Sequence, residues 1–389
     1  MLNFEFVSPT KIIFGKNTEE NVGKILKDYN IKKVLLHYGM SSIHKTGLYD
    51  RVVKSLNSEG IQFVELGGVE PNPKIDMVRR GVNIAKEEGV ELVLAVGGGS
   101  VIDSSKAIAA GVYADFDPWC FNAHTETVKK ALPVGVILTI SAAGSELSNS
   151  CVISNPETNI KNGFNSDLVR PLFAIMNPVL TYTVSKYQTA CGVVDILMHT
   201  IERYLSDEEC VGFADEMALG LIRSVLKAGL VVMKNSEDYE ARSNLMLASS
   251  FSHNGLTGLG SKMYFTVHKL EHAVSGVYDS VAHAAGLSVL FPAWAIYTKD
   301  LFFEKWVKLG KEVLNITSSN DEEVVLSAIN YFKEYFKMLE MPTSFTELGI
   351  DDEGIKKFAQ HATKNDTVKV VAVKPLNEEE VLKILKIAK

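Results

Sequence analysis

The stretch "ELVLAVGGGSVIDSSKAIAAG", residues 91–111, decides the fold. Leu92 to Val96 is apolar without alternation, as expected of a strand covered by helices on both faces. Gly97, Gly98 and Gly99 follow at once, and a small-residue helix pattern then runs to Gly111. A buried strand, a glycine turn and a helix in direct succession form the repeating unit of an open α/β sheet, whose ligands bind at the carboxyl ends of the strands. Glycine lets the backbone approach a phosphate closely, and the next helix offers free N–H groups and a positive dipole end. The stretch is neither G-x-G-x-x-G nor G-x-x-x-x-G-K-[ST]. The expectation is a diphosphate cradle at Gly97, Gly98, Gly99 and Ser100 in a Rossmann-like parallel sheet of non-standard kind. Asp103 stands at S-x-x-D spacing from Ser100 and is read either with that cradle or as half of a capping box.

Outward from this unit the first half of the chain repeats the pattern. Strand candidates are "KKVLLHY", "IQFVEL", "PVGVILTI" and "PLFAIM", and "KIDMVRRGVNIAKEEG" is an amphipathic helix that ends on Gly89. From about residue 184 the strand signals fade, and "FADEMALGLIRSVLKAGLVVMKN" and "DYEARSNLMLASSFSHNGL" read as helices. The expected organisation is an α/β dinucleotide-binding domain over 1–183 and an all-α domain over 184–389 that carries the metal and the substrate. A second small-residue segment, "VILTISAAGSELSN", offers the hydroxyls of Thr139, Ser141, Ser145 and Ser148 to a nucleotide.

Composition narrows the function. A formal charge of -7 over 389 residues, without a concentrated basic patch, argues against a nucleic-acid partner. There is no apolar run of membrane-spanning length and no signal-peptide pattern, so a cytoplasmic protein that does not enter membranes is expected. Cys120, Cys151, Cys191 and Cys210 show no C-x-x-C pairing and read as packing residues, with neither disulfides nor a thiolate zinc site.

The chemistry lies in the second half. Asp195 and His199 in "GVVDILMHTIERYL" are four apart, on one face of a helix amid apolar neighbours where an unpaired carboxylate is costly. "FTVHKLEHAVSGVYDSVAH", residues 265–283, adds His268 and His272, again four apart, and His283 beyond a loop. These make five candidates for a site that needs about four ligands. One carboxylate and several imidazoles suit a divalent metal such as Fe(II), Zn(II) or Mn(II). His253 is placed either near this site or in the core.

Taken together, "PTKIIFGKNTEENVG", "YGMSSIHKTGLYDRV", "GGGSVIDSSKAI", "LTISAAGSELSNSCVIS", "GFNSDLVRPLFAIMNPVLTYT", "GVVDILMHTIERYL" and the histidine stretch resemble the iron-containing (metal-dependent) alcohol dehydrogenases over nearly the whole length. The resemblance is strongest to their NAD(P)H-dependent butanol dehydrogenase and aldehyde reductase branch. It implies the dehydroquinate synthase-like fold of that family and one Fe(II) or Zn(II) held by Asp195, His199, His268 and His283. His272 would then lie in the active site without binding the metal. It also implies that Gly97, Gly98, Gly99 and Ser100 hold the diphosphate, that Thr139, Ser141 and Lys161 approach the rest of the coenzyme, and that the protein is a homodimer. The chain departs from the family pattern at 283–286, where "HAAG" replaces the commoner His-Gly run.

The implied activity is hydride transfer between a nicotinamide and a small aldehyde or primary alcohol, butanal and butanol being examples. Coenzyme choice is read from the end of the second strand candidate, where Tyr38 and Gly39 are followed by Ser41, Ser42 and Lys45. No acidic residue stands there to accept from a ribose 2′-OH, so NADP(H) is expected over NAD(H). Two rival readings are a lyase of the dehydroquinate synthase type and a non-catalytic nucleotide-binding protein. The lyase should show several Lys and Arg beside the metal ligands, and only Arg203, Lys262 and Lys269 are near them in sequence.

Overall fold

The apolar runs of the first half become a single parallel sheet. In the computed structural model, which describes residues 1–158, 160–206, 212–278 and 280–389, eight strands follow in chain order. They are β1 (Lys11–Phe14), β2 (Lys33–Gly39), β3 (Gln62–Val69), β4 (Leu92–Gly97), β5 (Val134–Leu138), β6 (Ser150–Asn155), β7 (Ile160–Asn165) and β8 (Phe173–Met176). Six of them form one sheet in the order β1-β8-β5-β4-β2-β3, with every pairing parallel. β4 is buried along its whole length. It lies inside the sheet and explains the unbroken apolar run at 92–96.

The sheet order also locates its ligand crevice. β2 is followed by β3 on one side, whereas β4 is followed by β5 on the other. The loops after Gly39 and Gly97 therefore diverge, and the gap between them is a topological switch point. The helix that follows β4, Gly99–Gly111, is the one expected, and "KIDMVRRGVNIAKEEG" forms Ile75–Glu87 with Gly89 left-handed at φ 60°. The antiparallel ribbon β6-β7 was not among the strand candidates. Its burial alternates residue by residue along β6, too short a signal to stand out from a loop.

The chain divides into two compact units, Val7–Val184 and Ser185–Lys389, with Met1–Phe6 grouped with the second. The backbone N–H of Leu2 donates to the carbonyl of Gly260 (2.8 Å), which ties that terminal segment to the helical unit. Apart from that segment the second unit is built from helices. Long apolar faces on Lys186–Tyr204, Phe213–Lys234, His283–Thr298 and Asp321–Met338 enclose a core in which Tyr204, Phe291, Trp306, Phe332, Tyr335 and Phe336 are fully buried. Buried phenols find acceptors, as the rule for such groups requires: Tyr204 donates to the Lys305 carbonyl (2.8 Å) and Tyr335 to that of Leu226 (3.0 Å). Among the described residues no helix is long and apolar enough to cross a membrane. Cys151 and Cys191 are buried free thiols and Cys120 is half-buried; Cys210 lies outside the described residues.

Candidate functional site

Two helices and the start of a third build the metal-ligand cluster. The helix Lys186–Tyr204 begins at Ser185, whose hydroxyl accepts from the N–H of Gln188 (3.2 Å), and carries Asp195 and His199 one turn apart. The helix Thr266–Val277 carries His268 and His272, and His283 is the first residue of the helix His283–Thr298. His199 Nδ1 and His268 Nε2 each lie 3.6 Å from Asp195 Oδ1, and His283 Nε2 lies 3.9 Å from the same oxygen.

These atoms have a shared deficit. Asp195 Oδ1, His199 Nδ1 and His268 Nε2 are buried without a hydrogen-bond partner. Each such orphan costs about 1–3 kcal/mol, and more when charged. A divalent cation bound by all three removes that cost, so the residues present fit a metal. Burial pushes the His199 imidazole well below its ordinary range, and the neighbouring His253, His268 and Arg203 push it the same way. His199 is therefore neutral, the form that ligates. Burial alone would lower His268 too, but the carboxylates of Glu202 and Asp195 outweigh it and hold the ring up at about 9. A cation at this point replaces that proton.

The carboxylates that orient the rings are absent from the sequence reading. Glu202 sits on the Asp195 helix at i+7, and its Oε2 meets His268 Nδ1 while its two oxygens accept from the N–H of Val267 (2.7 Å) and of His268 (3.3 Å). Glu271, fully buried, accepts from the Ser275 hydroxyl and meets His283 Nδ1. In both cases the carboxylate holds one ring nitrogen and leaves the other facing Asp195, which is how ligating histidines are oriented. A Cβ on Gly286, the glycine of "HAAG", would come within 2.7 Å of Glu271 Cγ, so that glycine stands where the carboxylate needs room. Spacing offered a signal for Glu202, since 195, 199 and 202 share a helix face. Glu271 offered only its place beside His272.

His272 is gathered with His283 and Glu271, one ligand atom from each lying within 4.8 Å of the others, and it is partly exposed. His253 packs beside His199, with ring centroids 4.1 Å apart, and its Nδ1 faces the Arg203 guanidinium at 3.5 Å.

In the first unit the glycines sit where β4 ends. A Cβ on Gly98 would come within 2.2 Å of Ile140 Cγ2, one on Gly97 within 2.5 Å of Val101 Cγ2, and one on Gly99 within 3.0 Å of Ala143 Cβ. Gly98 and Gly99 thus admit the segment after β5, whereas Gly97 leaves room for Val101 of the following helix, and the N–H of Thr139 donates to the carbonyl of Gly97 (3.1 Å). Within that segment the Ser141 hydroxyl is buried without a partner, the kind of group a ligand satisfies. The first turn of Gly99–Gly111 has no side-chain cap, so the Ser100–Asp103 capping box is not formed. Asp103 instead accepts from the Ser145 hydroxyl (2.5 Å) and the Val152 N–H (2.9 Å).

Lys106 was not anticipated. It is fully buried, and its ammonium donates to the Ser145 carbonyl (2.7 Å) and hydroxyl (2.8 Å) and to the carbonyls of Ser148 and Ser150 (both 2.9 Å). Burial lowers its pKa, partly offset by Asp103. Lys106 and Asp103 together pin the serine segment to the glycine helix, which is the role Ser145 fills here. Lys161 on β7 lies near enough to Asp103 to favour its charged form. At the end of β2 the register shifts between His37 and Gly39, and Ser41, Ser42 and Lys45 are exposed. Tyr38 donates to Glu65 on β3 (2.9 Å), as does Tyr49 (2.7 Å), which brings a carboxylate to this edge that the linear sequence did not show.

A parallel sheet with a glycine-lined helix start, and a helical unit that gathers one carboxylate and three imidazoles around a point, fit a metal-dependent enzyme of the nucleotide-binding α/β kind. Residues 9–178 match the iron-containing alcohol dehydrogenases and residues 189–389 match the C-terminal region of the same family. The chain is 42% identical over 388 residues to NADH-dependent butanol dehydrogenase A of Clostridium acetobutylicum, covering 99% of each. It is 34% identical over 368 residues to the NADPH-dependent aldehyde reductase YqhD of Escherichia coli, covering 93% of this chain and 94% of that one. The crystal structure of NADH-dependent butanol dehydrogenase A from Thermotoga maritima superimposes with a TM-score of 0.95 at 37% identity, covering 100% of this chain and 99% of that one. The chain belongs to the iron-containing alcohol dehydrogenase family. It interconverts alcohols and aldehydes with a nicotinamide coenzyme and a metal, and the lyase reading is not favoured.

Proposed function

We propose that Asp195, His199, His268 and His283 bind a single Fe(II) or Zn(II), and that His272 is the catalytic residue that moves the hydroxyl proton. The observation that carries this reading is the convergence of three buried, unpartnered polar atoms on one point, with a fourth ring nitrogen 3.9 Å from Asp195 Oδ1. When bound, the metal polarises the substrate oxygen and the nicotinamide supplies or accepts the hydride. Glu202 and Glu271 fix the rings of His268 and His283. His272, partly exposed beside His283, takes the proton from the alcohol or returns it. Replacing His268 by Ala should abolish bound metal and turnover while the coenzyme unit stays folded; metal analysis of the pure variant decides this. A full complement of metal would overturn the ligand set.

The coenzyme reading assigns 1–183 to nucleotide binding and 184–389 to metal and substrate. Gly97, Gly98, Gly99, Ser100, Thr139, Ser141 and Lys161 contact the coenzyme, with Asp103 shaping the loop through Ser145. Gly39, Ser41 and Ser42 receive the ribose end, and NADP(H) is favoured over NAD(H). A Cβ at Gly39 meets nothing closer than the Val69 carbonyl at 3.6 Å, so there is room for a 2′-phosphate. A second reading, NAD(H) use, is favoured by Glu65 at the same edge and by the names of the butanol dehydrogenase relatives. Comparing kcat/KM for the two coenzymes with butanal discriminates: a tenfold preference for NADH overturns the first reading. Gly39→Asp should move selectivity toward NADH, since a carboxylate there repels a 2′-phosphate.

Butanal-sized aldehydes and primary alcohols are the proposed substrates, on the strength of those relatives' names. The working form is proposed to be a cytoplasmic homodimer, which sedimentation at micromolar concentration tests.

A further inference from the structure

Two of the three ring ligands proposed above are fixed by carboxylates, His268 by Glu202 and His283 by Glu271. His199 is held differently. Among the described residues the only carboxylate that meets its ring is Asp195, 3.6 Å from Nδ1. The ring packs instead against two other imidazoles, with centroids 4.6 Å from that of His268 and 4.1 Å from that of His253. His268 belongs to the ligand cluster, whereas His253 stands outside it.

What fixes His253 is Arg203, four residues after His199 on the same helix. His253 ends the helix Tyr239–His253, where carbonyls lack an intrahelical donor and the dipole end is negative. Arg203 Nη2 lies 3.5 Å from the His253 carbonyl and 3.5 Å from His253 Nδ1, while Nη1 donates to the His199 carbonyl (3.0 Å). Arginine offers no acceptor, so His253 Nδ1 accepts and the ring is neutral with its proton on Nε2. The guanidinium is 5% exposed, and burial that deep is costly unless the setting answers the charge. Here the helix end answers it on one side, and the ring of Phe265, its centroid 4.5 Å away, on another. Gly258 leaves space for the stem, since a Cβ there would lie 3.3 Å from Arg203 Cγ and Cδ.

We propose that Arg203 and His253 are positioning residues for His199: the guanidinium fixes His253, and the packed ring of His253 keeps that of His199 turned toward Asp195. This rests on the reading in which His199 binds the metal. Partners that orient a ligating imidazole from outside tune its affinity for the metal, and at His199 a packed ring takes the place that a carboxylate holds at His268 and His283. Because His253 Nδ1 is engaged with Arg203, its contribution to His199 is contact of the rings, which any aromatic residue of similar size can supply.

Titration of Zn(II) against a competing chelator, on the full chain, tests the pair. His253→Ala and Arg203→Met should each weaken Zn(II) about tenfold, the lower end of the usual loss for such partners. His253→Phe should bind within about threefold of wild type, since it restores the ring without the acceptor. If Arg203 acts through His253, the double variant Arg203→Met with His253→Ala should be no weaker than about tenfold, because losses along one chain of contacts do not add. His253 is partly exposed, so its variants carry the test even where Arg203→Met folds poorly. Wild-type affinity in His253→Ala, a His253→Phe variant as weak as His253→Ala, or a double variant weakened about a hundredfold, the additive result, would each overturn the proposal. His199→Ala separates it from the reading beneath it. Zn(II) bound as tightly in that variant as in wild type would sink the ligand set, whereas loss of Zn(II) there together with wild-type affinity in His253→Ala would sink the positioning pair alone.

Discussion

Replacing Glu202 by Gln isolates a single charge with two duties. Glu202 reaches from the Asp195 helix to the start of Thr266–Val277, where it accepts from the N–H of Val267 (2.7 Å) and of His268 (3.3 Å). Those are orphan donors of a first helical turn, and the helix's own N-cap residue, Phe265, supplies no side-chain acceptor. The same carboxylate holds His268 Nδ1. Glutamine keeps the shape but has one acceptor oxygen, so one buried donor meets an amide NH₂ instead. A hydrogen bond to a charged group is worth about 1.5–3 kcal/mol, and a lost helix cap about 1 kcal/mol. Metal-free Glu202→Gln should therefore lose about 2–3 kcal/mol, a fall in Tm of roughly 4–12 °C for a unit of this size. The second effect concerns the metal. Losing the group that orients a ligating imidazole typically costs 10- to 100-fold in metal affinity, about 1.4–2.7 kcal/mol. Thermal unfolding of the metal-free protein measures the first effect, and titration against a competing chelator measures the second. A variant that melts early yet binds metal within about threefold of wild type would show that Glu202 is only a helix cap. The link from its carboxylate to the metal would then be wrong.

His272→Ala should keep its metal and lose rate on the order of 10- to 1,000-fold, as removal of a proton-transfer group does; loss of metal instead would exchange its role with that of a ligand. Burial holds the His37 imidazole, which contacts the Leu66 carbonyl (2.7 Å) and the Ser104 hydroxyl (2.8 Å), down at about 4 from an ordinary 6.5. The unfolded chain thus takes up this proton first, so its contribution is complete above pH 6.5 and is lost as pH falls toward 4, roughly 3 kcal/mol in all. Urea unfolding of His37→Gln should show a pH slope shallower by about 1.4 kcal/mol per unit between pH 6 and 4.5, and an unchanged slope would refute this. Gly98→Ala should disrupt coenzyme binding, because the added methyl falls 2.2 Å from a methyl fixed on the β-branch of Ile140; coenzyme fluorescence titration showing wild-type affinity would count against the close approach.

What the sequence determined by itself was whatever depends on near neighbours along the chain. Four strands of the sheet, β2, β4, β5 and β8, were legible because burial on both faces demands continuous apolar runs, and the edge strand β3 was legible from its apolar residues although only Leu66 and Val69 of it are buried. The helices at 75–87, 213–234 and 239–253 were legible because one buried face imposes a 3.6-residue period. The pairs Asp195 with His199 and His268 with His272 were legible as pairs for the same reason. Which members converge was not, because helix periodicity says nothing about where two helices meet. The separation of 66 positions from Glu202 to His268 is closed only by packing of the helical core, and that packing selects Glu202 to hold His268. Likewise Asp103 reads from sequence as a partner of Ser100, three residues away, yet in the folded unit the loop after β5 arrives with Ser145, and strand β6 with Val152, and they take the carboxylate. Local spacing named the ionisable groups, and only the tertiary structure decided their partners, because a buried charge is satisfied by whatever donor the fold brings within about 3 Å, however distant in the chain.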